Sequence, residues 1–182
     1  MRSGVRRAFA AVLVIGSAAV SGCASGSGST GPGAVVVGQM AFVMRLGGVN
    51  HIYLMGIDTA GAGYTPTRLT GDQEAENYPS WSPDGKRLAY QRDLNGAAIY
   101  IINADGSQLE QLTHFAAPYE AGDTNWSIDG KQIAFEYDIN GKKQSDPNAH
   151  AEVWTMQADG SDQRSTGVEC SDVGCAPRWQ PT

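Results

Sequence analysis

A tryptophan-led pattern occurs twice in this chain and constrains its fold more than any other feature. The first copy spans residues 78–90 and reads YPSWSPDGKRLAY; the second spans 123–135 and reads DTNWSIDGKQIAF. A second pattern follows each copy, as IYIINADGS at 99–107 and VWTMQADGS at 153–161. A short closure recurs as Leu69-Thr70, Leu112-Thr113 and Ser165-Thr166. Such self-similarity at an interval of tens of residues indicates an array of equivalent structural units.

Each repeat is divided by turn residues into segments of strand length. Asp84-Gly85 predicts a tight turn between the tryptophan segment and a strand at 87–90. The β-branched and aromatic run at 99–103 predicts a third strand, and residues 108–113 a fourth. Four short antiparallel strands in about 45 residues correspond to one blade of a β-propeller. The sequence therefore predicts an all-β fold, a partial β-propeller of about three four-stranded blades.

The motifs WSPDGKxLAY and IYxxNADGS resemble the TolB-type, WD-repeat-like propeller family, over roughly residues 39–182. The likeness is strongest in the second blade, and in the third Ile128 replaces the proline of the turn. The first blade lacks the tryptophan, although Trp179-Gln-Pro-Thr182 resembles the start of a further blade. The resemblance implies a non-catalytic, protein-docking scaffold of the cell envelope.

The N-terminal residues predict an export signal. Arg2, Arg6 and Arg7 precede an uncharged run of 13 residues, Ala8 to Val20, which is too short to span a bilayer as a helix. Its end, Val-Ser-Gly-Cys23, resembles the bacterial lipobox. The resemblance implies cleavage before Cys23, a diacylglyceryl group on its sulfur and an acyl chain such as palmitate on its amine. An ordinary secretory signal with a stray cysteine is the alternative.

These observations divide the chain into three parts. We expect a lipoprotein signal peptide at 1–22, a Gly/Ser tether with the lipidated cysteine at 23–33, and TolB-like blades at 34–182. The predicted location is the bacterial cell envelope, extracytoplasmic and anchored to a membrane by lipid.

The charge balance excludes some partners. The chain has 13 basic and 19 acidic residues, a net charge of −6. Removal of 1–22 takes away three arginines and no acid, which makes the net charge −9. An acidic surface argues against nucleic acid as a partner, and it leaves attachment to the membrane to the acyl chains.

Two cysteines, and an insertion at 140–152 before the second IYxxNADGS-like segment, supply further candidates. Cys170 and Cys175 form a candidate disulfide in an oxidising compartment. Within the insertion, weak metal-ligand candidates alternate along the chain, so an extended segment would point them one way. A solvated polar face is the alternative, and no cofactor is predicted. These candidates are Asp146, Asn148, His150 and Glu152.

Acidic residues precede each repeated tryptophan, and in a propeller these segments would gather at one rim. A rim of focused negative charge predicts binding of a cationic peptide or a metal. Solubility alone is the alternative explanation. The rim candidates are Glu74, Glu76, Glu120, Asp123, Glu169 and Asp172.

No sequence feature indicates a catalytic site. The chain contains neither HExxH nor GxSxG, and its three histidines, at 51, 114 and 150, lie in unlike contexts. We therefore predict no catalytic residue and a scaffold that binds another envelope protein. An envelope sensor or carbohydrate-binding module, and a degenerate hydrolase-associated propeller, are the alternatives.

Three blades fall below the usual number for a closed ring, which is about four to eight. An open array leaves two blade faces without a neighbour. Two chains would close the ring as a homodimer if Pro177–Trp179 of one completed the first blade of the other. A short open arc whose exposed face binds a partner is a second solution.

Overall fold

The computed structural model describes residues 36–61, 63–71, 73–94, 96–141, 150–171 and 175–180. Cys23, the signal segment and the tether lie outside these residues, as do Asp146, Asn148 and Asp172. The described residues form strands and contain no helix that could cross a membrane. The strands are β1 (Val36–Leu46), β2 (Val49–Asp58), β3 (Thr67–Arg68), β4 (Ala75–Trp81), β5 (Arg87–Asp93), β6 (Ala97–Asn103), β7 (Glu110–Gln111), β8 (Ala121–Trp126), β9 (Gln132–Asp138), β10 (His150–Gln157) and β11 (Arg164–Ser171).

These strands form three antiparallel sheets, which we call blades 1, 2 and 3. Blade 1 has the order β1-β2-β3, blade 2 the order β4-β5-β6-β7, and blade 3 the order β8-β9-β10-β11. The predicted all-β class is confirmed, and blades 2 and 3 have the predicted four strands. Blade 1 has three described strands, because nothing described pairs with the edge of β1 that faces away from β2. The first strands β4 and β8 contact each other and also the preceding blade, so they form the inner edge of the arc.

The repeated Ser-x-Asp-Gly turn is held by the same hydrogen bonds in blades 2 and 3. In blade 2 the Ser82 hydroxyl donates to Asp84 Oδ1 at 2.6 Å and accepts from the Arg87 backbone N–H at 2.9 Å. In blade 3 the Ser127 hydroxyl donates to Asp129 Oδ1 at 2.7 Å and accepts from the Gln132 backbone N–H at 2.9 Å. The replacement of proline by isoleucine leaves this turn intact, because serine and aspartate form its hydrogen bonds. The serine hydroxyl lowers the pKa of each aspartate.

Threonine closures fasten the last segment of each blade to its middle strand. In blade 1, Thr70 Oγ1 accepts a hydrogen bond from the Ile52 backbone N–H at 3.1 Å. In blade 2, Thr113 Oγ1 accepts one from the Ile99 backbone N–H at 2.8 Å. In blade 3, by contrast, the Thr166 hydroxyl donates to the Val153 carbonyl at 2.7 Å. A register shift between β10 and β11 at this point changes the closure.

Apolar side chains fill the spaces between the blades. One cluster lies between blades 1 and 2 and contains Ile52, Leu54, Leu88, Tyr90, Tyr100 and Ile102. The other lies between blades 2 and 3 and contains Ala89, Ile99, Ile101, Leu112, Ala121, Trp126, Ile133, Phe135 and Met156. The middle strand β6 therefore contributes to both clusters through its alternating faces, as its apolar sequence predicts. Each large side chain buried there stabilises the fold by about 1.5–3 kcal/mol.

A backbone irregularity marks the first strand of each repeat. Tyr78 on β4 and Asp123 on β8 adopt positive φ values of 53° and 44°, at the register shifts where β4 and β8 pair with their neighbours. Ala176 has a φ of 23°, and it precedes Trp179 by three residues, as Tyr78 precedes Trp81. The segment 175–180 thus repeats the conformation of an inner strand.

This C-terminal segment lies against blade 3. The Trp179 backbone N–H donates to Asn125 Oδ1 at 2.9 Å, and its indole N–H donates to the Asn125 carbonyl at 3.2 Å. Arg178 forms an ion pair with Asp123 at 3.2 Å. The segment therefore packs beside the inner strand β8 of blade 3.

Glycine at the Asp-Gly turns provides a first test of blade packing. Gly160 and Gly106 occupy equivalent turns with φ of +82° and +85°, but a Cβ at Gly160 would lie 3.1 Å from the Leu112 carbonyl oxygen. The nearest atom to a Cβ at Gly106 would be 4.0 Å away. We expect Gly160→Ala to lower the free energy of unfolding by roughly 1 kcal/mol more than Gly106→Ala, measured by urea denaturation. Equal losses would show that the approach of blade 3 to Leu112 is not tight.

Candidate functional site

The inner edge of blade 1 has no described strand beside it. In blades 2 and 3 an inner strand, β4 or β8, pairs with the second strand, whereas β1 forms the edge of its sheet. An edge strand directs alternate backbone N–H and carbonyl groups away from its sheet, where they are available to another chain. We call this exposed side of β1 the open edge.

Apolar side chains accompany the open edge. Val36 and Leu46 are each 55% exposed, Val37 is 50% exposed, and Val43 and Met44 are each 37% exposed. The corresponding strand of blade 2, β5, contains Leu88, Ala89 and Tyr90, which are fully buried. The equivalents of these three residues on β1 are Met40, Ala41 and Phe42, which are only half-buried, so β1 exposes part of the surface that blade 2 buries.

The face of blade 1 that points away from blade 2 is also apolar. Phe42 and Tyr53 stack there with ring centroids 6.1 Å apart, as Tyr90 and Tyr100 do in blade 2. In blade 2 that pair is covered by blade 1. Tyr53 is as buried as Tyr100, at 7% exposure each, whereas Phe42 is half-buried and Tyr90 fully buried, so the difference between the two pairs lies at Phe42.

Three of the predicted rim acids lie on or beside the first strands of blades 2 and 3. Glu74 pairs with Arg92 at 2.9 Å, and this hydrogen bond lowers the pKa of its carboxyl. Asp123 pairs with Arg178, and Glu120 directly precedes β8. Glu169 lies instead on the outer strand β11, opposite Glu152. Glu152 lies opposite Tyr137, which is also the partner of Ala121, so Glu169 lies at the same end of blade 3 as Glu120 but on its outer strand.

Glu76 departs from the rim prediction in a different way, because its side chain is fully buried. Its Oε2 lies 3.3 Å from His51 Nδ1 and accepts a hydrogen bond from the Thr70 hydroxyl. His51 and Thr70 belong to blade 1, so this polar cluster joins blade 1 to blade 2. Arg68 Nη2, at 3.1 Å from His51 Nδ1, extends the cluster toward the surface. Sequence analysis missed the pairing because the partners are far apart in the chain.

The predicted metal candidates are only partly described. His150 lies opposite Ser171 at the start of β10, and Glu152 accepts a hydrogen bond from the Trp154 indole at 2.9 Å. Hydrogen bonds from Ser165 and then Trp154 lower the pKa of Glu152. In the part of the chain that the structure describes, no group of three or more His, Cys, Asp or Glu side chains is placed to hold a metal.

Cys170 and Cys175 are joined by a disulfide, with Cα atoms 5.5 Å apart. The bond connects β11 to the C-terminal segment. The Cys175 backbone N–H donates to Glu136 Oε2 at 2.6 Å, while burial raises the pKa of Glu136. These contacts fasten residues 175–180 to blade 3.

A cleft of about 620 Å³ lies between blades 1 and 2. Its described lining includes Tyr64, Arg68 and a single carboxylate, Asp105, and it contains no histidine or cysteine. The Ser107 hydroxyl lowers the pKa of Asp105. The lining therefore offers no nucleophile with an adjacent general base.

The buried cluster at Glu76 provides a test of the junction between blades 1 and 2. Glu76→Ala removes the acceptor for Thr70 and the partner of His51, and leaves both in a buried environment. We expect a loss of about 2–3 kcal/mol in the free energy of unfolding, measured by urea denaturation at pH 7. Glu74→Ala, which breaks a more exposed ion pair, should cost less than about 1 kcal/mol. Equal costs for the two variants would contradict a structural role for the cluster.

Comparisons with known proteins agree with this architecture. No family model matches the chain. A Tol-Pal system protein TolB from Syntrophus aciditrophicus is 30% identical over 78 residues, which cover 42% of this chain and 17% of that protein. A solved structure from Agrobacterium tumefaciens, described as a TolB, superposes with a TM-score of 0.63 and 20% identity. That match covers 75% of this chain and 46% of the A. tumefaciens chain.

The same fold also occurs in proteins named as enzymes. An oligogalacturonate lyase from Vibrio parahaemolyticus has a TM-score of 0.52 and 10% identity, over 70% of this chain and 36% of the lyase. The fold alone therefore does not decide between scaffold and enzyme. The chain corresponds to less than half the length of each of these three proteins. The sheet order, the repeated turns and these likenesses together show that the chain folds as a partial, TolB-like β-propeller.

Proposed function

We propose that this chain is a lipid-anchored, extracytoplasmic scaffold of the bacterial envelope that binds a protein partner and has no catalytic role. The observation that carries the proposal is the open edge of blade 1. The partner is another envelope protein or a second copy of the chain.

A protein suits the open edge better than a small ligand does. Backbone groups along β1 can pair with an added strand, which supplies affinity through main-chain hydrogen bonds. The exposed Val43 and Met44 side chains add apolar contacts to such a strand. A long, flat, apolar edge left uncovered would also promote aggregation, so a regular partner has a protective role.

The proposed location rests on the N-terminal lipobox resemblance and on the cysteine chemistry. A disulfide such as Cys170–Cys175 persists in oxidising compartments outside the cytoplasm. The net charge of −9 after processing repels anionic lipid, so acylation at Cys23 supplies the membrane affinity. The tether at 24–33 gives the blades a reach of roughly 17 Å from the lipid.

The printed name of the TolB relative places that protein in the Tol-Pal system. We extend to this chain only the general role of a protein-binding envelope propeller. Glu74, Glu120 and Asp123 remain candidates for contacts with a basic partner segment.

The anchor is tested in bacterial cells that express the full chain and are fed an alkyne analogue of palmitate. We expect the chain to be labelled and to sediment with membranes, because acylation of Cys23 adds the apolar chains that hold it there. Cys23→Ser should lose the label and leave the membrane fraction. Cys175→Ser, which removes a different cysteine, should keep both properties. A labelled Cys23→Ser chain would contradict the proposed lipidation.

Partner binding is tested by placing a photo-reactive phenylalanine at Val43 of the full chain in cells. We expect ultraviolet light to join it covalently to a protein, because Val43 lies on the open edge. The same substitution at Leu109, which is 45% exposed beside the short outer strand β7, is the matched control and should give no such adduct. A folded chain that forms no adduct at Val43 would contradict the proposed scaffold.

A further inference from the structure

We infer that the open edge of blade 1 receives residues 175–180 of a second copy, so that two chains close one ring by exchanging their C-terminal segments. The inference rests on the proposed function, because it names the partner of the same open edge.

The segment 175–180 has the characteristics of an inner strand. Ala176-Pro177-Arg178-Trp179 repeats the form of Tyr78-Pro79-Ser80-Trp81 on β4, with a positive φ at the first residue, then proline, and tryptophan last. No described strand pairs with this segment in a sheet. It is therefore an inner strand without a described blade, whereas blade 1 is a blade without a described inner strand.

The segment cannot complete blade 1 of its own chain from its observed position. The disulfide to Cys170 and the two Trp179 hydrogen bonds to Asn125 hold it on blade 3. Blade 2 separates blade 1 from blade 3, since β4 contacts both β1 and β8 while no strand of blade 1 contacts a described strand of blade 3. A second copy can instead place its blade 1 beside this segment.

Two copies joined in this way form a closed structure with two equivalent junctions. Each copy contributes three described sheets, so a ring built from these sheets has six blades, within the usual range of about four to eight. Each copy both donates and receives one segment, which gives the pair two-fold symmetry. No inner edge then remains exposed.

Such a junction would bring together the outward faces of blades 1 and 3. Met40 and Phe42 are half-buried on blade 1, although the equivalent Leu88 and Tyr90 are fully buried against a neighbouring blade. On blade 3, Val153 alternates with Trp154, whose ring packs toward blade 2, so Val153 points outward. A second copy would cover Met40 and Phe42 as blade 1 covers Leu88 and Tyr90.

The observed ladders define the register of the exchanged segment. Trp81 lies opposite Leu88 in blade 2, and Trp126 lies opposite Ile133 in blade 3. Met40 is the equivalent of Leu88, because it lies opposite Met55 as Leu88 lies opposite Ile102. In the exchanged pair, Trp179 of one copy therefore lies opposite Met40 of the other. By the same alignment, Cys175 lies opposite Val43.

The test uses two full-length copies expressed together and distinguished by different epitope tags inserted in the tether. The receiving copy carries the photo-reactive phenylalanine at Val43. We expect an adduct between the two tags, with mass spectrometry locating the bond in residues 165–182 of the donor copy. Trp179→Ala in the donor should lower the yield of this adduct by at least about tenfold, the effect of removing a buried aromatic anchor. Leu109→Ala in the donor should leave the yield unchanged.

The other outcomes separate this inference from the proposed function. An adduct to another envelope protein alone overturns the exchange and leaves the scaffold role standing. An adduct to residues 24–35 of the same chain overturns the exchange and shows that the N-terminal part completes blade 1. A folded receiving copy without any adduct overturns both.

Discussion

Burial of apolar surface between neighbouring blades is the interaction on which the rest of this structure depends. A single blade is a sheet with two faces, and its middle strand β6 is apolar on both, so it is stable only between two other sheets. The polar side chains are found mainly in turns and at strand ends, where they set the direction of the chain. Stability therefore comes from stacking, and any blade without a neighbour exposes surface that belongs inside a propeller.

The repeats were predictable from the sequence because their chemistry is local. Serine, aspartate and glycine in one short turn supply both the hydrogen bonds and the backbone freedom that the turn requires, so the same letters produce the same geometry in blades 2 and 3. The β-branched run at 99–103 likewise becomes a buried strand. Blade 1 was harder to predict, because its sequence lacks the tryptophan segment. In the structure, blade 1 accordingly has no described inner strand.

The candidate site was only partly predictable because its properties depend on distant contacts. Glu74 and Glu76 look alike in the sequence, yet one pairs with Arg92 and the other is buried beside His51. Alternation along a strand places them on the same face, so only the approach of blade 1 distinguishes their environments. The open edge is likewise a property of sheet order, which single segments do not reveal. Glu169 precedes a tryptophan in the chain as the other rim candidates do, but only the sheet order shows that it lies on the outer strand of blade 3.

The two observed junctions between blades differ in chemistry, and this difference bears on how the arc is assembled. Glu76 on β4 has Ala121 as its equivalent on β8, because Glu76 pairs with Arg92 and Ala121 pairs with Tyr137, the equivalent of Arg92 on β9. Ala121 belongs to an apolar cluster, whereas Glu76 needs His51 and Thr70 of blade 1. Placing blade 2 against a partner without these groups would remove two hydrogen-bonding partners of a buried carboxylate and destabilise the junction. Repeats with identical faces could stack in any order, so the polar cluster selects blade 1 as the neighbour of blade 2. By the same reasoning, the inferred junction at the open edge would need specific contacts of its own to choose its partner. Among the described residues, Trp179 and Pro177 are able to supply such contacts.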